Sequence, residues 1–176
     1  MKKLILCILI VTSILISQDQ LFVGTRPLGM GGAFIAVADD GNTITWNPAG
    51  LPRLRRKEFT SSYADLYAMD ITQSYTGIVW PFGDRIEVGF DWANVGFDDQ
   101  ELSYSENKLN FSIGYQPFKL VSIGGTFKYL SRDMGLDGTS YGKSTGIGYD
   151  LGLLISPHKK IRFGLGIYDL GGTNVT

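Results

Sequence analysis

The sequence has little of the chemistry that enzymes and metal proteins use. It has one cysteine and one histidine in 176 residues. Cys7 lies within an apolar amino-terminal run, so we expect no disulfide and no cysteine metal site. His158 stands in a predicted tight turn, without cysteine or carboxylate partners at metal-ligand spacing. We therefore expect no catalytic residues, no metal, no other cofactor and no enzymatic activity.

Long apolar runs are equally scarce, with the exception of Leu4–Ile16. This run is too short to cross a bilayer as a helix. It follows Lys2 and Lys3 and precedes small and polar residues, an order typical of a secretory signal peptide, which we place at residues 1–17. Without those two lysines, the remaining basic residues are slightly outnumbered by the 17 acidic ones. That balance does not favour a nucleic-acid partner.

Glycine, in contrast, is abundant, with 23 residues or nearly twice the usual share of about 7%. There is no Gly-X-Y period, which excludes collagen. Beyond residue 57 the apolar residues instead recur at every second position, which predicts β-strands with two unlike faces. We predict seven of them: Glu58–Tyr67, Ile71–Trp80, Arg85–Val95, Lys108–Gln116, Leu120–Leu130, Ser144–Ser156 and Lys160–Leu170.

The lengths of the strands and of their connections favour a membrane barrel. Strands of about ten residues suffice to cross a bilayer at a tilt, whereas globular strands average five or six. Tight turns are predicted at 81–84, 117–119 and 157–159, and long polar loops at 96–107 and 131–143. Short turns on one side and long loops on the other are typical of outer-membrane barrels. A soluble antiparallel sheet that turns its apolar face to a core remains the alternative.

In a barrel the apolar positions would face lipid, with aromatic residues near both strand ends, and the polar positions would line the lumen. The predicted lumen-facing charges are mixed in sign and are expected to pair with one another: Arg85, Glu87, Asp91, Lys128, Asp150 and Arg162. Many glycines share this polar face. Because glycine lets another backbone come close, we predict that something fills the lumen.

The segment before the first strand is the predicted occupant, so we assign residues 18–56 to a hatch and residues 57–176 to barrel strands. Asn47 is predicted to cap a short helix that starts at Pro48 and ends within a turn at Gly50 and Pro52. The basic residues of 53–57 are expected to be solvated or to meet lipid headgroups. A cysteine pair at Ala36 and Gly148 is the cross-link that we predict between hatch and wall.

Two stretches carry a resemblance to a known family. GMGGAFIAVADD at Gly29–Asp40 and WNPAGL at Trp46–Leu51 resemble the amino-terminal region of FadL-type outer-membrane barrels, closest the PorV/PorQ branch. The resemblance implies a 14-stranded barrel in the bacterial outer membrane with an amino-terminal hatch in its lumen. The matching hatch residues are Gly29, Gly31, Gly32, Asn47, Pro48, Ala49 and Gly50. Seven strands would then be an amino-terminal fragment of such a barrel.

The resemblance leaves more than one function open. In FadL the hatch is tied to the uptake of hydrophobic molecules, and PorV-type relatives act with machinery that exports proteins. We therefore expect transport or export through a barrel with a luminal hatch. The alternatives are an interaction barrel whose extracellular loops dock secreted proteins for a type IX-like secretion machinery, and a purely structural outer-membrane protein. The expected partners are outer-membrane lipid and either hydrophobic small molecules or secretion proteins.

Overall fold

A computed structural model of the chain describes residues 23–66, 68–99, 101–137 and 139–173. The predicted signal peptide at residues 1–17 lies outside the described residues. The strands form one antiparallel sheet in which each pairs with the next along the chain, and the sheet curls into a half-barrel. Their bounds are β1 Glu58–Leu66, β2 Ile71–Pro81, β3 Ile86–Asp98, β4 Leu102–Phe118, β5 Val121–Leu136, β6 Thr139–His158 and β7 Ile161–Ile167. The predicted all-β class with seven antiparallel strands is confirmed.

The strands turn back at two ends of the sheet, which we call lower and upper. The lower end carries the short turns at 82–85, 119–120 and 159–160, and the upper end carries the connections from β1 to β2, β3 to β4 and β5 to β6. Strands β1 and β7 are the two edges. Since the strand number is odd, both edge strands run from the lower end to the upper end.

The predicted long loops at 96–107 and 131–143 are wrong. Strand β3 continues to Asp98 and β4 begins at Leu102, while β5 continues to Leu136 and β6 begins at Thr139. These extensions pair residue by residue with their neighbours, apart from one irregularity near Met134. Their outward positions are polar, so the apolar signal that marks a strand in the sequence fades although the backbone ladder continues.

Residues 23–56 lie on the concave side of the sheet, and we call this segment the hatch. It contains two short α-helices, α1 (Thr25–Gly29) and α2 (Thr43–Trp46), and a 3₁₀ helix at Pro48–Arg53. The 3₁₀ helix contacts four strands, from β3 to β6. The side chains that it buries fill the space that a barrel lumen would occupy.

The convex side of the sheet exposes large apolar residues instead. Along β5, Ile123, Phe127 and Tyr129 are exposed, while Ser122 and Thr126 on the concave side are buried. The exposed residues of β2 to β7 form a continuous zone, the outer belt: Ile78, Trp80, Phe90, Trp92, Phe111, Ile113, Tyr115, Ile123, Phe127, Tyr129, Ile147, Tyr149, Leu151, Phe163, Leu165 and Ile167. Apolar residues are thus turned outward and polar residues inward.

Candidate functional site: the hatch against the inner wall

Two apolar clusters attach the hatch to the sheet. One consists of Phe34, Ala38, Trp46, Ala49 and the β6 residue Leu154, all buried. The ring of Phe34 meets the ring of Trp46 edge to face, with 6.2 Å between the ring centroids. The hatch therefore has a small core of its own that is closed by a residue of the wall.

The second cluster lies nearer to β2. Ile44, Leu51 and Leu54 of the hatch contact Val79, which is fully buried on the concave face of β2. Burying an aliphatic side chain of this size contributes about 1.5–3 kcal/mol. The two clusters together hold the hatch against strands on both sides of the half-barrel.

Glycines let the 3₁₀ helix approach the wall at backbone distance. A Cβ atom at Gly114 would lie 2.6 Å from the carbonyl oxygen of Pro48, and one at Gly124 would lie 2.5 Å from the amide nitrogen of Ala49. Both distances are below those that real Cβ atoms adopt. The glycines of the inner wall are thus needed where Pro48 and Ala49 dock.

Asn47 connects this helix to two other segments. Its side-chain oxygen accepts a hydrogen bond from the Ala49 N–H (3.1 Å), as expected for an N-cap. Its side-chain nitrogen donates to the carbonyl oxygens of Ile35 (2.8 Å) and Leu153 (3.4 Å). One buried amide therefore joins the 3₁₀ helix, the hatch core and β6.

The predicted end of this helix at Gly50 and Pro52 is wrong, since the helix continues to Arg53. The N–H of Gly50 donates to Asn47 and that of Leu54 donates to Leu51, both with the three-residue spacing of a 3₁₀ helix. Pro52 has no N–H, but the hydrogen bonds on either side of it do not use that group. A short 3₁₀ helix therefore passes through Pro52 without a break.

Asp91 and Lys128, two of the predicted lumen-facing charges, are buried on the inner wall. Asp91 accepts hydrogen bonds from Thr45 of the hatch (2.6 Å) and from Asn110 of β4 (2.8 Å). Because Thr45 belongs to α2, this carboxylate binds the hatch directly. The sequence placed Asp91 on the correct face but did not identify Thr45 as its partner.

Lys128 forms an ion pair with Asp150, with 2.8 Å between Nζ and Oδ1, and lies 3.5 Å from Asp169. Asp150 also accepts a hydrogen bond from the backbone N–H of Asp169. The predicted pairing of opposite charges thus occurs between Lys128 and Asp150. Asp169, which follows β7, is a third member that the sequence analysis did not name.

Opposing effects act on the pKa of Asp169. Burial acts to raise its pKa, but hydrogen bonds from Thr173 and the charge of Lys128 outweigh burial and hold the pKa of Asp169 below its ordinary value. The carboxylate is therefore charged over the whole neutral range. A charged Asp169 fixes the chain after β7 against β5 and β6.

The other predicted wall charges are dispersed. Glu87 is buried near the lower end, whereas Arg85 lies in the turn before β3 and is exposed, so its predicted place on the inner wall is wrong. Arg85 falls outside because β3 begins at Ile86, one residue later than predicted. Arg162 reaches the hatch: its guanidinium donates to the carbonyl oxygen of Val37 (2.8 Å) and lies 3.7 Å from Asp39.

Sequence reasoning missed the polar residues at the upper end of the inner wall. Lys108 is 4% exposed, and Glu106 accepts a hydrogen bond from Arg132 at 2.7 Å and another from Tyr104 at 2.6 Å. All of these residues are on β4 or β5, in or beside the segments that were predicted to be loops. A period-two pattern of polar residues, continued from the neighbouring strands, was the signal that could have located them.

The glycines of the GMGG stretch lie away from the wall. Cβ atoms at Gly29 and Gly31 would meet nothing within 4 Å, while one at Gly32 would contact Trp46 at 3.6 Å. Gly31 and Gly32 have φ angles of +63° and +79°, a backbone region that favours glycine. These residues therefore form a turn at the surface of the hatch. They do not join Asn47, Pro48 and Ala49, which lie against the glycines of the wall, whereas Gly50 packs against Ala38 and Thr43 within the hatch.

The acidic pair that follows this turn is bound to α1. Arg26 forms ion pairs with Asp39 (2.7 Å) and Asp40 (2.6 Å). Asp40 also accepts a hydrogen bond from the backbone N–H of Asn42 at 2.9 Å. The two carboxylates therefore fold the hatch onto itself.

Several of the basic residues after the 3₁₀ helix have partners in the wall. Arg53 donates to Ser156 (2.7 Å) and Arg55 donates to Gln116 (3.2 Å). The Lys57 ammonium lies 3.6 Å from the ring centroid of Trp80. The expectation of a simply solvated cluster is wrong for these three side chains, because Arg53 and Arg55 bind β6 and β4, and Lys57 lies over a ring of the outer belt.

The predicted cross-link between Ala36 and Gly148 is also wrong. A Cβ atom at Gly148 would meet Thr173, Lys128 and Asp169, whereas one at Gly164 would lie 2.6 Å from the Cα atom of Ala36. The hatch residue therefore faces β7 and not β6. The choice of strand depends on how far the sheet curls, which the sequence pattern does not give.

In the described part of the chain no cluster of three histidine, cysteine, aspartate or glutamate residues is arranged to hold a metal ion. Over the same residues, no helix has the length and apolar character needed to cross a membrane. The sheet forms a wall with an apolar exterior and an interior that binds the chain's own amino-terminal segment.

Comparison with known protein families, with characterised proteins and with solved structures finds no match for this chain.

Proposed function

We propose that this chain forms part of the wall of a β-barrel in the bacterial outer membrane, with the hatch controlling passage through the lumen. The observation that supports the proposal is the direction of burial. In the half-barrel the large apolar residues Phe111, Phe127 and Phe163 are 41–61% exposed, while Asp91 and Lys128 are buried. A soluble sheet buries its apolar face and exposes its charges, so the reverse arrangement favours a hydrocarbon environment.

The height of the outer belt agrees with this proposal. Along β5 its outward apolar positions run from Val121 to Tyr129, and beyond them the outward residues Ser131 and Asp133 are polar. Eight steps of about 3.4 Å at a tilt of about 40° give a belt roughly 21 Å tall, against about 25 Å for the apolar band of membrane barrels. The extensions of β3 to β6 would then project beyond the membrane at the upper end.

The unpaired edges of the sheet must be covered if the sheet lies in a membrane. The outward edges of β1 and β7 have no strand partner among the described residues. Unpaired backbone groups in hydrocarbon cost several kcal/mol each. The proposed barrel therefore requires further strands beside β1 and β7, supplied by the same polypeptide or by another one.

The resemblance to FadL-type barrels gives the proposed cargo, a hydrophobic small molecule. A hatch that leaves the inner wall would open the lumen, and the contacts of Asn47 and Thr45 are those that it would have to break. The alternative, docking of secreted proteins, would use strand extensions in place of long loops, since 96–107 and 131–143 are mostly strand.

A pair of lysine substitutions on one face of one strand tests the membrane location. Phe127 lies in the outer belt and Ser131, four residues further along β5, lies outside it. In vesicles of phosphatidylcholine we expect Phe127→Lys to lower the free energy of unfolding by about 2–4 kcal/mol and Ser131→Lys by less than about 1 kcal/mol. Insertion is measured by resistance to carbonate extraction, and stability by urea unfolding.

In a water-soluble protein the outcome would be different. Phe127 would be an exposed apolar residue, and its replacement by lysine would leave stability unchanged and improve solubility. A full-length chain that is monodisperse without detergent and indifferent to Phe127→Lys would overturn the proposal.

A further inference from the structure

We propose that the lower half of the outer belt holds one anionic phospholipid, with an acyl chain in a groove over Gly125 and its phosphate against lysines of the turns below. This proposal rests on the membrane location argued above and adds a specific lipid to it. The groove has a volume of about 610 Å³ and extends across the outward face of β4 to β7. Its lining is apolar: Ile113, Tyr115, Ile123, Gly124, Gly125, Leu151, Gly152, Leu153, Leu165 and Ile167.

Gly125 makes the groove. It pairs with Ile113 on one side and with Leu151 on the other, in a belt that otherwise carries large side chains. A Cβ atom at Gly125 would lie 3.7 Å from Leu151 and 3.8 Å from the carbonyl oxygen of Asp150, both ordinary contact distances. Packing within the wall therefore does not require glycine here, in contrast to Gly114 and Gly124, where the hatch occupies the space.

The volume of the groove lies within the usual range for a small-ligand site, about 300–1,000 Å³. A largely apolar lining that faces hydrocarbon favours an acyl chain over a polar ligand. The groove alone would accept the chain of any lipid. Selection of one lipid headgroup over another therefore depends on the charged residues beside the groove.

The turns below the groove supply a positive charge. Lys119 stands in the turn between β4 and β5, and Lys159 and Lys160 form the turn between β6 and β7. All three are exposed, and the structure shows no carboxylate paired with them within the described chain. Three ammonium groups without counterions, below an apolar groove, match the phosphate of an anionic lipid.

The spacing between groove and lysines fits a lipid. Gly125 is six residues from Lys119, which gives about 16 Å along the membrane normal at about 3.4 Å per residue and a tilt of about 40°. Half of the hydrocarbon core of a bilayer measures about 15 Å. A chain that ends near Gly125 would thus place its headgroup at the level of Lys119.

The opposite end of the sheet would repel such a headgroup. The strand ends and connections there carry four exposed aspartates: Asp70, Asp98, Asp99 and Asp137. The charge of the two ends therefore assigns the lipid to the leaflet at the lower end. In the proposed barrel this is the periplasmic leaflet.

The test uses the full-length chain in vesicles of phosphatidylcholine with one part in about five of phosphatidylglycerol. Inserted protein is extracted in mild detergent, and the retained lipids are counted by native mass spectrometry. We expect wild-type protein to retain one phosphatidylglycerol. At about 1 kcal/mol for each basic residue, each Lys→Gln substitution should reduce retention about fivefold, and the triple variant K119Q/K159Q/K160Q should abolish the preference.

A second pair of variants tests the groove. Gly125→Leu places a side chain in the groove from a position whose Cβ atom would make only ordinary contacts, and Gly142→Leu makes the same change where a Cβ atom meets nothing within 4 Å. We expect Gly125→Leu to lose the retained lipid and Gly142→Leu to keep it. Retention that survives Gly125→Leu, or a wild-type protein that inserts but holds both lipids equally, would overturn the lipid site and leave the membrane location standing. A chain that is monodisperse in water without detergent would overturn the membrane location and the lipid site with it.

Discussion

The side-chain oxygen of Asn47 occupies the space that a Cβ atom on Gly152 would need. The same oxygen accepts a hydrogen bond from the Ala49 N–H. Because Gly152 has no side chain, this cap can form directly against β6. The amide nitrogen of Ala49 would also lie 3.1 Å from that Cβ atom. The hatch and the wall therefore fit at the level of single atoms here.

Gly152→Ala should displace Asn47 and weaken the attachment of the hatch. Forcing one methyl group into a filled site costs about 1–3 kcal/mol. We expect the free energy of unfolding to fall by this amount, measured by urea unfolding with tryptophan fluorescence. Gly142→Ala is the matched control, because a Cβ atom there meets nothing within 4 Å. Equal stability of the two variants would contradict the close contact.

Substitutions at Asn47 should separate its two roles. Asn47→Asp keeps an oxygen that can accept from Ala49 but loses the N–H groups that donate to Ile35 and Leu153. Asn47→Ala loses both roles, and the lost cap alone costs about 1 kcal/mol. We expect the hatch to be cut by protease faster in both variants than in wild type, and at least as fast in Asn47→Asp as in Asn47→Ala, because the buried carboxylate would face the carbonyl oxygens of Ile35 and Leu153. Identical cleavage rates would show that the amide does not hold the hatch.

A disulfide between the hatch and β3 should lock the lumen. A Cβ atom at Gly89 would lie 2.6 Å from Cγ1 of Ile44, which places cysteines at these two positions within bonding reach. In the double variant I44C/G89C, with Cys7→Ser to remove the native thiol, we expect uptake of a hydrophobic fluorophore only after reduction. The single variant Ile44→Cys should be insensitive to reductant. Undiminished uptake by the oxidised double variant would exclude movement of α2 as the opening step.

Asp169 should make stability depend on pH in the acidic range. Its pKa is lower in the folded chain than the ordinary value of about 3.9, so its contribution is complete above that value and is lost as the pH falls through the folded-state pKa. We expect Asp169→Asn to be less stable than wild type at neutral pH and equal to it near pH 2, as measured by urea unfolding at each pH. A constant difference across the range would show that the charge of Asp169 is not what stabilises the fold.

The sheet could be predicted from the sequence wherever apolar and polar residues alternate. Ile147, Tyr149 and Leu151 repeat at every second position, and all three are exposed on the convex face of β6. The same rule failed at 131–143, since the outward residues Ser131 and Asp133 are polar and the apolar residues Met134 and Leu136 lie on the inward face, so the outward apolar pattern stops. Backbone pairing with the neighbouring strand, which the one-dimensional pattern does not contain, extends the ladder through this stretch.

The sequence identified individual residues of the candidate site, but it did not identify the residues that they contact. Asn47 next to Pro48 indicates a helix cap because the required side chain and the required backbone angle stand together in the sequence. The partners Ile35 and Leu153 were not predictable, since they depend on how the hatch crosses the curled sheet. For the same reason the sequence led to Gly148 as the neighbour of Ala36 in place of Gly164.

The continuous pairing of β3 to β6 beyond the outer belt has a consequence for recognition at that end. A flexible loop loses conformational entropy when a partner binds, about 1–2 kcal/mol for each residue whose backbone becomes fixed. The residues of 102–107 and 131–136 already have fixed backbones, so a binding partner would incur little of that loss. Any protein that meets this rim would dock on a preorganised surface, and its selectivity would depend on shape and charge matching with the rigid strand tips.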